Sequence, residues 1–217
     1  LIAAQSGGLD HPEAALAELI RGEQVDGRDI FEAFTNGAVA NYQVEEALYL
    51  LDSWDRDYPE DPLPCLIRGR IAEHSNDWEA AVLQYTAALK RDPSFGPAAY
   101  NLARVHLGRA SLEAALQAYR SAARLLELPA PALVGIAHCL RLSSQLDAAE
   151  AELNRVLALS PADRILAWRI VGDTADSAVA SPYMERGEIF LARKQPESAI
   201  ASFEDALREQ PWNSSIR

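Results

Sequence analysis

Cysteine and lysine are both scarce here: 217 residues hold two of each, Cys65 and Cys139 against Lys90 and Lys194. Two cysteines give no disulfide framework and no C-x-x-C pair. Basic charge is also short, with 20 basic against 32 acidic residues and a net charge of -12, which argues against a general nucleic-acid binder. Long apolar runs are missing, and so is a signal peptide, so neither a membrane-spanning helix nor direct membrane insertion is expected. The expectation is a soluble chain of the cytoplasm or periplasm. It begins with Leu1 and not Met, so any targeting segment is expected to lie outside it. Catalytic signatures are lacking too: the sequence has no glycine-rich phosphate loop, no G-x-S-x-G and no H-E-x-x-H. It is read as a non-enzyme with no metal or cofactor. Arginine outnumbers lysine 18 to 2, a bias that hints at a GC-rich, bacterial genome.

What is present is repetition. From Pro62 to Asp163 one pattern recurs three times at a 34-residue period. Ala81, Ala115 and Ala149 fall at that interval, as do Tyr85, Tyr119 and Leu153, then Ala88, Ala122 and Val156, then Gly69, Ala103 and Ala137. Each copy holds two apolar periodicities of helical spacing, separated by Ser75-Asn76-Asp77, Arg109-Ala110-Ser111 or Ser143-Ser144-Gln145. Each is therefore a helical hairpin. The small residues permit close approach, Tyr85, Tyr119 and Leu153 plug the gap beside them, and Pro93 and Pro161 close the first and third copies. A single hairpin leaves its apolar face wet, so stability requires stacked neighbours.

This order of residues at this period resembles the tetratricopeptide repeat (TPR) family. The usual Trp at the fourth place is replaced by Cys65, Ala99 and Leu133. The resemblance implies an all-α, right-handed solenoid whose first helices line a concave, peptide-binding face. Cys65 and Cys139 then lie in first helices two repeats apart. At roughly 8–10 Å per neighbouring helix they are beyond disulfide reach and are expected as buried apolar residues.

The frame divides the chain into one solenoid of five or six units: a partial repeat over 1–27, a divergent repeat over 28–61, clear repeats over 62–95, 96–129 and 130–163, an insertion over 164–179, a repeat over 180–213 and the start of a further helix over 214–217. Asp10 is expected to cap a helix in the partial repeat. In the divergent repeat Ala47, Leu51, Trp54 and Pro59 keep the frame, while Thr35 replaces the small residue and Asn36-Gly37 is expected to interrupt the helix. Over 164–179 a first-helix pattern of Ile165, Trp168 and Val171 runs into Gly172-Asp173-Thr174 with no second helix expected. Asn213-Ser214-Ser215 matches a sequon, a motif this short being mostly chance. The cut repeats at both ends suggest a fragment of a longer repeat protein. Acidity concentrates in residues 1–61, with 14 acids and 3 bases, and is read as a solvated face or a dock for a basic partner.

By the same resemblance the ninth residue of a repeat faces the groove: Asn36, Arg70, Arg104 and His138, with Tyr100, Asn101 and Arg141 nearby. Guanidinium forks suit carboxylates. The expected ligand is an extended acidic segment or a C-terminal carboxylate, unless these arginines pair internally with Glu73, Glu127 or neighbouring acids. The lysines of a chaperone-binding clamp are replaced by Glu32, Pro131 and Gly135, which argues against a chaperone co-factor. Met184, Glu188 and Leu191 are expected to make the far end of the groove apolar and acidic. His106 is expected in the core and His74 in a turn. The overall reading is a protein-interaction scaffold. The alternatives are a substrate-recruiting or regulatory region of a larger enzyme, such as a glycosyltransferase, or self-association through exposed end repeats.

Overall fold

The computed structural model describes residues 27–172 and 175–209. The partial repeat over 1–27 (Gly27 excepted), its Asp10 cap, Asp173-Thr174, the sequon and the helix start over 214–217 lie outside them. Among the described residues there are eleven helices and no strand: α1 Gly27–Ala40, α2 Val44–Asp57, α3 Leu63–His74, α4 Trp78–Arg91, α5 Gly96–Gly108, α6 Leu112–Leu125, α7 Ala130–Leu142, α8 Leu146–Leu157, α9 Pro161–Ile170, α10 Ala175–Ala192 and α11 Pro196–Glu209. The chain forms two compact units, Leu1–Pro93 and Ser94–Arg217.

The hairpin turns show how the period is enforced. Tyr42, Asn76, Ala110 and Ser144 each stand one repeat period from the last, with φ between 56° and 60°, and Lys194, in the final described hairpin, has φ 59°. At every one, two backbone N–H groups turn back onto the helix that has just ended, as in Asn76 N to Glu73 O at 2.9 Å and Asp77 N to Ala72 O at 2.9 Å. This is the Schellman arrangement, which satisfies the last carbonyls of a helix through one left-handed residue. None of the five is glycine, so each carries some backbone strain. Helix starts are marked as clearly. Proline stands in the first turn of α3, α5, α7 and α9, where its missing N–H costs nothing. Asp77 accepts from Ala80 N, and Ser160 accepts from Asp163 N, as caps. Pro161 thus opens α9 as well as closing the third copy.

In the first unit, Ile30, Ala33, Phe34 and Ala38 of α1 pack on Ala47 and Leu50 of α2. Phe31, Leu51 and Trp54 pack on Ile67 of α3, with the Phe31 and Trp54 rings stacked at 6.3 Å. The expected break at Asn36-Gly37 does not occur. α1 runs through both, and Gly37 is buried, so packing of the flanking apolar residues outweighs a glycine penalty of about 1 kcal/mol. Asp61 ties the loop after α2: it takes Trp54 Nε1 at 3.0 Å, Arg28 Nε at 2.7 Å and Leu63 N at 3.0 Å. Asp55 joins Arg68 and Arg91, so part of the N-terminal acidity is internal cross-linking.

In the second unit α5–α6, α7–α8 and α10–α11 are hairpins, while α9 packs on α7 and α10 without a second helix of its own. α10 already begins at Ala175, inside the stretch expected as insertion, and runs through Pro182. Small and large residues match across the hairpins. A Cβ on Gly69 would lie 2.4 Å from the Tyr85 ring, and one on Gly187 2.4 Å from Phe203. Where the first partner is larger, as at Thr35 and Ala137, the second is Leu51 or Leu153. Tyr119 is the exception. Facing Ala103 in its own repeat, its ring lies instead against Gly135 of α7, where a Cβ would sit 2.4 Å away. Cys65 and Cys139 are buried and unbridged. His106 is half-buried in α5 and His74 bonds Arg70 O at the exposed end of α3.

Candidate functional site

The first helices of the second unit enclose an open groove of about 420 Å³. Tyr100, Arg104 and Leu107 of α5 form one side, and Pro131, Val134, Gly135 and His138 of α7 the floor, with Tyr119 between; Trp168 of α9 and Glu185 of α10 close the far side. These places follow from helical spacing: residues 100, 104 and 107, like 131, 134, 135 and 138, fall on one face of a 3.6-residue helix. Tyr119 reaches the groove because Gly135 leaves room for it, and its ring tilts against Tyr100 with centroids 5.8 Å apart.

The polar end is built around Glu185, only 8% exposed. Its Oε2 is 2.9 Å from His138 Nδ1, and its Oε1 accepts from Arg141 Nε. An ionised carboxylate only accepts, so Nδ1 of His138 carries the proton. Arg141 Nη2, 3.4 Å from that same nitrogen, is then a packing neighbour and not a donor to it. Burial alone would raise the pKa of Glu185, but the hydrogen bonds and charges of His138 and Arg141 outweigh it and hold the carboxyl below its ordinary value. The carboxylate is thus ionised and compensated, and the lining also holds the Arg104 guanidinium.

Of the residues marked in the sequence, the groove brings together Tyr100, Arg104 and His138. Asn101 and Arg141 stand behind its wall. Asn101 is fully buried, donating to Pro97 O at 2.8 Å and accepting from Arg104 Nη1 at 3.3 Å; Arg141 acts through Glu185. Arg70 and Asn36 are half-buried on α3 and α1 of the first unit. Glu73 accepts from the Tyr85 hydroxyl. The acid of the groove is Glu185, while Met184 is half-buried and Glu188 and Leu191 are exposed. Glu185, Trp168, Tyr119 and Val134 are not among the groove residues expected from the sequence. The spacing that marks Tyr100 and Arg104 also marks Val134 and His138, but the irregular α9 hides which helix faces Glu185. Among the described residues no group of three or more His, Cys, Asp or Glu side chains is placed to hold a metal ion, and no helix is long and apolar enough to cross a membrane.

No protein-family model matches the chain, and no curated protein matches its sequence. Solved structures do match. MamA of Desulfovibrio magneticus RS-1 is 17% identical, with 88% of this chain and 98% of that chain covered and a TM-score of 0.62. A thermophilic TPR protein of Thermus thermophilus is 17% identical, with 95% and 94% covered and a TM-score of 0.59. YrrB, described as a TPR protein with an unusual peptide-binding site, is 18% identical, with 93% and 95% covered and a TM-score of 0.58. At these identities the likeness is one of fold: the chain has the all-α tetratricopeptide-repeat fold.

Proposed function

We propose that the protein is a protein-interaction scaffold whose second unit binds an extended segment of another protein in the groove of α5, α7, α9 and α10. One observation carries this reading: Tyr100, Tyr119 and Trp168 line the same groove as the Arg104 guanidinium. An apolar side chain of the segment would lie against the ring edges that line the groove, and an acidic side chain or terminal carboxylate beside it would pair with Arg104. His138 contributes at the wall, held in one tautomer by Glu185. Asn101 and Arg141 support the residues that touch the ligand. Arg70 and Asn36 hold the equivalent repeat place in the first unit and would serve that unit's own inner helices. The description of YrrB by its peptide-binding site is in keeping with this use of the fold.

The test is selection of peptides from a random displayed library on the full chain, repeated on Arg104→Glu and Val134→Glu. Enrichment of a large apolar residue beside Asp, Glu or a free C-terminus, lost with both variants, supports the reading. Peptides without an acidic group, or peptides retained equally by both variants, would overturn it.

A further inference from the structure

The outer side of the first unit has a different character. α2 buries Ala47, Leu50, Leu51 and Trp54, and α4 buries Ala81, Tyr85 and Ala88. The opposite faces of such helices are ordinarily polar. Here they carry Tyr49, 63% exposed, and Leu83, 66% exposed, with the exposed Val44, Leu48 and Trp78 on the flanks of the buried faces. Val44 and Trp78 stand one repeat period apart, and so do Tyr49 and Leu83, so each pair holds an equivalent place in consecutive hairpins. In the second unit the places of Tyr49 and Leu83 are taken by Gln117 and Ala151. Tyr49 and Leu83 are therefore not a demand of the repeat, whereas the place of Val44 and Trp78 stays apolar throughout, as Leu112 and Leu146.

Tyr42 strengthens the point. It is the left-handed residue of its turn, with φ 59°, where the other turns use Asn76, Ala110, Ser144 and Lys194. A bulky side chain there is strained, and at 88% exposure it gains no burial in return. Large apolar side chains left exposed at the outer places of consecutive hairpins suit an interaction site.

Charge decides what fits. Between Gly27 and Pro93 the chain carries 13 acidic and 6 basic residues, and α2 alone has Glu45, Glu46, Asp52, Asp55 and Asp57 against Arg56. Asp52 and Asp55 are held by Arg68. Glu45 and Glu46, in the same turns as Val44, Leu48 and Tyr49, form no ion pair among the described residues. A second copy would bring like charges onto this face, and an anionic surface or nucleic acid would be repelled. We propose that Tyr42, Val44, Leu48, Tyr49, Trp78 and Leu83 form a docking face for a basic amphipathic segment of another protein, its apolar side laid on these residues and its Lys or Arg flank on Glu45 and Glu46.

The test is calorimetric titration of the full chain with a synthetic amphipathic Leu/Lys helix, beside a Leu/Glu helix of the same pattern and a Ser/Lys peptide of the same charge. The Leu/Lys helix is expected to bind at least tenfold more tightly than either control and to weaken with added salt. Tyr49→Ser/Leu83→Ser is expected to lose at least tenfold with an unchanged helical circular dichroism spectrum. Gln117→Ser, at the matching place of the second unit, should bind as the unmodified chain does. Tyr42→Asn gives a separate readout: a higher melting temperature together with weaker binding. Equal binding of the Ser/Lys peptide, or loss of less than twofold in the double variant, would overturn the proposal. So would sedimentation showing a dimer that the double variant abolishes, because the occupant would then be a second copy.

Discussion

Glu185 of α10 and His138 of α7 meet at 2.9 Å across 47 residues of sequence, and Arg141 completes the contact from the same helix as His138. The contact ties the last described hairpin to the floor of the groove. Glu185→Ala removes two charge-assisted hydrogen bonds but leaves His138 and Arg141 partly exposed to water, so it is expected to destabilise the protein by about 2 kcal/mol, read by urea unfolding. The sign of its pH dependence follows from the lowered pKa. The contribution is full above the ordinary carboxylate value of 4.5 and is lost as pH falls through the lower folded-state value. In Glu185→Gln this part of the acid destabilisation should be absent, which melting curves across that range would detect.

Thr35 is fully buried and its Oγ1 has no hydrogen-bond partner among the described residues. Replacing the hydroxyl by a methyl of the same shape removes an unmet polar group. Thr35→Val is expected to stabilise the first unit by about 1 kcal/mol. A denaturation midpoint that does not rise would contradict this.

Gly69 and Tyr85 are matched in size. A methyl on Gly69 would lie 2.4 Å from the Tyr85 ring, so Gly69→Ala is expected to cost about 2 kcal/mol. In a Tyr85→Leu background, which reproduces the Ala137 and Leu153 pair, the same change should cost much less. The double-mutant cycle measures the difference.

Burial and the nearby Glu185 charge push the Cys139 thiol up to about 11, and burial also raises Cys65. Both should resist alkylation at pH 8 in the folded protein and react promptly in denaturant, as counted by mass spectrometry.

The repeat was legible because small, aromatic and turn residues recur together, and the left-handed turn residues Tyr42, Asn76, Ala110 and Ser144 fall on the same period. Tyr100, Arg104 and His138 were legible for the same reason, since a fixed place in a repeat keeps a fixed face. What escaped depends on neighbours. The sequence pairs Tyr119 with Ala103, but the ring takes the space left by Gly135 one repeat on. Gly37 reads as a breaker because propensity is local, while the packing that overrides it is not. Glu185 lay beyond the irregular stretch that breaks the frame, so its register against α7 could not be counted from the period.

The most direct test of the groove is hydrogen–deuterium exchange of the full chain with and without a peptide selected on it. Slowed exchange confined to α5, α7, α9 and the Glu185 region of α10 is expected, and none with Arg104→Glu. Protection that leaves these helices unchanged, or falls on α2 and α4 alone, would contradict it.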